Sequence, residues 1–169
     1  AASVDLGFTF KDVVASALDG MPLIEGAVGR GRIVIPVIGP GRVDISVSAA
    51  RAAPPGGGAI ALGGSSFAIA NVREDVPTGV ITGLADGAIA DILALINQPP
   101  LRLISKLGAD LGAVGGQAVG TLRLRLPLLA DLDVGDIDIS AVADLANLSL
   151  IAPGLGLPVT ARRAALTVD

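Results

Sequence analysis

Thr121-Leu122-Arg123-Leu124-Arg125-Leu126-Pro127-Leu128 alternates polar and apolar side chains almost without a break. Side chains of an extended strand point to opposite faces in turn, so this run makes a strand with one apolar and one charged face. Val4, Leu6, Phe8 and Phe10 repeat the pattern against Ser3, Asp5, Gly7 and Thr9. Arg42–Ser48 does so too, and Arg32–Ile38, free of polar side chains after Arg32, precedes it across Gly39-Pro40-Gly41. Gly and Pro supply turn dihedrals there, so the two runs read as a hairpin. The tight turn predicts Val37 opposite Val43, Ile35 opposite Ile45 and Ile33 opposite Val47. Pro36 marks its own arm as an edge or irregular strand.

Further strands are expected at 59–62, 67–72, 122–128, 136–145 and 158–168. In the fourth of these, Ile137, Ile139, Ala141, Ala143 and Leu145 share a face, whereas Leu148 and Leu150 fall out of phase. A bulge near Ala146 accounts for the change. Its pairing with 122–128 is expected to set Leu124 against Ile137, Leu122 against Ile139, Arg125 against Asp136 and Arg123 against Asp138. Lys11–Met21 reads as weakly helical, and Leu84–Asn97 as a helix halted by Pro99-Pro100. The fold class expected is mainly β (α+β). It is a curved antiparallel sheet or open β-groove in a single domain over 1–169, with a helical insert around 84–107.

Composition narrows the function classes. Mean hydropathy is +0.72, with 51% hydrophobic and 17% charged residues, against about 25% charged in ordinary soluble domains. A membrane span needs roughly 20 consecutive apolar residues, and the best window, Val80–Ile96, is broken by Asp86 and Asp91. The apolar surface must therefore meet something other than lipid around a spanning helix. A formal charge of −4 with three Phe, no Trp and no Tyr gives nucleic acid neither a basic patch nor stacking platforms. Ala1–Asp5 runs straight into strand text, with no leader pattern.

Catalysis is not expected. Without His or Cys the commonest general base, thiol nucleophile and metal ligands are missing. Ser65-Ser66 has no base beside it, and Gly56-Gly57-Gly58 lacks the Lys of a phosphate loop. Asp131, Asp133, Asp136 and Asp138 have the oxygen chemistry that calcium takes. Alternation instead assigns Asp136 and Asp138 to the polar face, opposite Arg123 and Arg125. No cofactor and no metal is expected.

Leu84-Ala-Asp-Gly-Ala-Ile-Ala-Asp-Ile-Leu-Ala-Leu-Ile-Asn-Gln-Pro-Pro-Leu-Arg-Leu, Leu107-Gly108-Ala109, Val114-Gly115-Gly116-Gln117-Ala118 and the Leu122–Leu128 strand together cover about fifty residues. These stretches resemble the periplasmic region of AsmA-like proteins, most closely the YhdP and TamB branch. The resemblance implies a segment of a long periplasmic protein of Gram-negative bacteria, anchored in the inner membrane by a helix outside this sequence. It also implies an apolar β-groove that carries phospholipid passively toward the outer membrane, with adjoining segments of the same chain as neighbours. The candidate lipid-facing residues are Ile33, Ile35, Val37, Val43, Ile45, Val47, Leu122, Leu124, Leu126, Ile137 and Ile139. The alternative is a structural or assembly domain of a cell-envelope protein, with a closed core and no ligand. An outer-membrane barrel fragment is disfavoured because such barrels carry aromatic girdles.

Overall fold

The computed structural model describes residues 3–16, 20–99, 101–106, 113–129, 131–132, 134–151 and 156–168. Nine strands form one antiparallel sheet: β1 (Ser3–Ala15), β2 (Ile24–Pro36), β3 (Arg42–Ala52), β4 (Ile60–Ala61), β5 (Ser66–Ile69), β6 (Thr78–Ala88), β7 (Gly115–Pro127), β8 (Asp138–Ile151) and β9 (Pro158–Val168). The helices α1 (Ile89–Ile96) and α2 (Leu103–Lys106) lie between β6 and β7. Strand order follows the sequence, with β4 and β5 both between β3 and β6, and with β1 and β9 as the two free edges. The mainly-β class and the antiparallel sheet are as the alternation predicted.

β4 and β5 are one strand interrupted at Gly63-Gly64-Ser65. Backbone bonds from Val47 N to Ser65 O and from Gly64 N to Val47 O hold the gap to β3. On the other side Leu84 N–H donates to Ser65 Oγ at 2.9 Å. The Ser65 hydroxyl thus replaces a missing ladder partner, which keeps the polar backbone satisfied.

Several expectations are corrected. The helical reading of Lys11–Met21 fails over Lys11–Ala15, where β1 continues, while residues 17–19 lie outside the described residues. The phase of β1 changes between Phe10 and Val13, where Asp12 has φ +55, and that bulge breaks the alternation that would have revealed a strand. The insert begins at Ile89 rather than 84, because 84–88 complete β6 opposite β7. Asp136 lies in a short 3-10 turn, Val134–Asp136, and not in a strand.

Both hairpins form on the expected faces but with different registers. Ile33 faces Val43 and Gly31 faces Ile45, a shift of four residues. Leu124 faces Ile139 and Arg125 faces Asp138, a shift of two. Even shifts preserve the face each side chain occupies. The first shift arises because residues after Pro36 form a wide turn instead of a tight one. Arg73 holds it open, its guanidinium donating to the carbonyls of Val37 and Gly39 at 3.2 Å each and to that of Pro36.

The expected bulge in β8 is present. Gly115 faces Ser149 and Gln117 faces Ala146, so Asn147 and Leu148 together oppose Gly116. Asn147 takes φ +51, a left-handed conformation that Asn tolerates and β-branched residues resist. Asn147→Gly should therefore be neutral or slightly stabilising, and Asn147→Val should cost about 1–2 kcal/mol, read from urea unfolding midpoints.

Two small clusters form the core. Leu101 lies against Leu124, Leu126 and Ile137, with Met21, Ile81, Leu103, Leu122, Leu132 and Ile139 around them. Leu95 joins Ala52 and Ile60, bordered by Met21, Leu62, Ala85 and Ile92. α1 places Ile92 and Leu95, three residues apart, toward this second cluster, and it ends just before Pro99-Pro100, where αR geometry is disfavoured. Leu101 and Ile60 have no exposed surface, which stabilises the fold by about 1.5–3 kcal/mol each.

Candidate functional site

Following paired residues from strand to strand shows what the sheet presents. Phe8, Gly31, Ile45, Phe67, Ile81, Leu124 and Ile139 form one row across seven strands. Leu6, Ile33, Val43, Ile69, Gly79 and Leu126 form the next. Directly opposite residues share a face, so both rows lie on the same side. The rows between them occupy the other side, as in Gly7, Arg32, Asp44, Ala68, Val80, Arg125 and Asp138. Apolar side chains therefore cover one face from β1 to β8. Leu166 and Val168 on β9 continue it opposite Ala143 and Ala141.

Ile33, Ile35, Val43, Ile45, Val47, Leu122, Leu124, Leu126 and Ile139 all stand on this face, and Ile137 packs against it from the turn before β8. Val37 does not join them; it lies in the wide turn beyond β2, 57% exposed. The face divides into zones. Its centre, with Leu124, Leu126 and Ile137, is closed by Leu101 and Leu103. Its margins are open, with Val4 61%, Leu6 53% and Leu166 47% exposed. The candidate set omits these marginal residues, although the alternation of β1 already marks Val4 and Leu6 as apolar-face positions.

Close packing along β1 and β2 depends on glycine. Phe8 and Phe10, with ring centroids 6.5 Å apart, lean over Gly31 and Gly29, where any added side-chain carbon would run into the rings. Aromatic side chains thereby cover backbone that glycine leaves bare.

The charged face is solvated. Arg32 donates from Nε to Asp5 Oδ1 at 2.9 Å and from Nη2 to Oδ2 at 2.5 Å. Looser pairs link Arg42 with Asp44 and Arg51 with Glu25, each at 3.9 Å. Arg125 and Asp138 are opposite in register, although among the described residues they do not approach within ion-pair distance. The hydrogen bonds from Arg32 hold the Asp5 carboxyl below its ordinary range; desolvation opposes them in part, and the charges of Arg32 and Arg42 add to them. A lowered folded-state pKa stabilises above the unfolded value of about 3.8 and is lost as pH falls through the folded value. Both partners are exposed on the surface, so solvent screens the effect. Asp5→Asn should move the thermal midpoint only slightly at neutral pH, and the difference should shrink as pH falls through the lowered folded-state value, as calorimetry across the acid range would show.

A shallow depression on the charged side, lined by Thr9, Arg30, Arg32, Asp44 and Ser46, is open to solvent. Among the described residues no three acidic side chains converge as cation ligands would. Asp136 sits in its turn and Asp138 on the charged face, while Asp133 lies outside the described residues. No helix among the described residues is long and apolar enough to cross a membrane. Protein-family models, curated proteins and solved structures all fail to provide a match for this chain.

Proposed function

We propose that the chain is a β-groove segment of an AsmA-like, periplasmic, lipid-carrying protein, working as a passive slide for phospholipid acyl chains. The supporting observation is the apolar face, with rows of up to six apolar side chains across seven strands and open margins on either side of a covered centre. A uniform apolar surface attracts an acyl chain in proportion to area, about 25 cal/mol per Å², and offers no polar group at which it would stop. The reading assigns the chain no catalytic step. It places the parent protein in the periplasm, held at the inner membrane by a part outside this sequence. It gives the free edges β1 and β9 to adjoining strands of the same long chain, since an unpaired edge is a template for further pairing.

A specific observation favours the second reading, a closed structural domain: α1 and α2 cover the middle of the face. The two readings separate at Ile45, in the row between Gly31 and Phe67. Lipid extracted from the purified protein should contain phospholipid by mass spectrometry. Ile45→Asp should remove it from a protein that still folds, since a charge is unfavourable where it meets the acyl region. Unfolding of the variant would favour the closed domain. A folded variant with undiminished lipid would defeat the groove.

A further inference from the structure

We propose that the strip of sheet beneath α1 and α2 is the seat of the acyl chain, and that these helices are a displaceable cover over it. The inference rests on the acyl-binding reading above. β6 and β7 pair without a register shift from Thr78↔Pro127 to Ala88↔Gln117. The ladder is thus complete up to the point where the chain departs into α1, and the helices are not needed to set it.

Several polar groups of the helical segment find their partners within it. Asn97 N–H donates to Leu93 O at 3.0 Å, Gln98 N–H to Leu95 O at 3.2 Å and Arg102 N–H to Gln98 O at 3.1 Å. Gln98 Nε2 donates to Ala94 O, and Ser105 N–H and Oγ both donate to Asn97 Oδ1. What joins the segment to the sheet is apolar contact, Leu95 on Ala52 and Ile60, and Leu101 on Leu124, Leu126 and Ile137. Such contact is non-directional, so an acyl chain entering beneath the helices replaces it like for like, and no ladder bond breaks.

The cover also suits a ligand on its underside. Asp91 is the one charged residue of α1, so a lifted helix lays a second apolar wall on the chain. Val4 and Leu6 at the margin offer one wall, and a chain resting there keeps its other side in water.

A reversible lock tests the proposal. A side-chain carbon on Gly58 would overlap the Asp91 carboxylate, so cysteines at these two positions meet in the closed state. The natural sequence has no cysteine to interfere. Gly58→Cys/Asp91→Cys is titrated with a fluorescent octadecanoic acid, oxidised and then reduced, in one folded sample. The expected result is affinity at least about tenfold weaker when oxidised, restored by reductant. Leu95→Ala, which loosens the cover, should bind the probe more tightly than wild type. Equal affinity in both redox states would overturn the cover while leaving acyl binding intact. Absence of binding in wild type, reduced lock and Leu95→Ala alike would defeat the acyl-binding reading itself. If the double variant does not fold, the sign of the Leu95→Ala change decides, and unchanged or weaker binding rejects the cover.

Discussion

Leu124→Asp is expected to abolish the cooperative unfolding transition, while Leu6→Asp, on the same face of the same sheet, melts within about 2 °C of wild type. The two leucines differ in what lies above them. Leu124 is 4% exposed, facing Ile81 and Ile139 beneath Leu101. Truncating such a side chain costs about 2–5 kcal/mol, and a carboxylate left there has no cation to meet it, which adds several more. The sum reaches the whole stability of an ordinary domain, roughly 5–15 kcal/mol. Leu6 stands more than half in water, so an acid there is solvated without moving a neighbour. Circular dichroism and urea titration of both variants check the contrast. A folded Leu124→Asp protein would mean that the helices do not close the centre of the face.

Gly116→Ala should destabilise by about 3 kcal/mol or more, a fall in melting temperature of roughly 6–12 °C for a chain this size. Gly116 has φ +116, a region reserved for glycine. An added methyl would stand 2.7 Å from the Ala146 carbonyl oxygen and 2.8 Å from that of Asn147. Neither strain nor clash relaxes alone, because Gly116 opposes the two-residue bulge that re-aims Leu148 and Leu150. A Gly116→Ala variant with an unchanged midpoint would show that the bulge is not held from β7.

The apolar face was legible because its carriers alternate strictly, as in Leu122 to Leu126 and Val43 to Val47. Alternation fixes the face but not the register, which explains hairpins shifted by even numbers. The wide turn after Pro36 depends on Arg73, more than thirty residues distant in sequence, and no local pattern announces it. Residues 84–88 were unreadable as strand for a different reason. Four of the five are partly covered and only Asp86 is exposed, so the polar-apolar rhythm is missing there. The bulge in β8 was readable, since Leu148 and Leu150 break phase conspicuously. Asp12 gave no such sign, because Val13-Val14 beyond it is apolar on both sides. The closure of the centre was legible only in part: the closed-core alternative allowed for a cover, but Leu101 sits in an irregular stretch, and only the folded chain brings it over Leu124.

Each strand's partners are its near neighbours in sequence, and this has a mechanical consequence. Ser3 pairs with Pro36 beside the β2–β3 turn, and Val168 pairs with Ala141 near the start of β8. Ser3 and Val168 thus lie at the same end of the strands, at opposite margins of the sheet. Tension between them acts across the strands and loads only the outermost ladder at any moment. Its bonds give way in succession, like a seam, rather than sharing the force in shear. Under load such a sheet opens from its margins inward, strand by strand, and β6 and β7 beneath their helical cover are the last to separate.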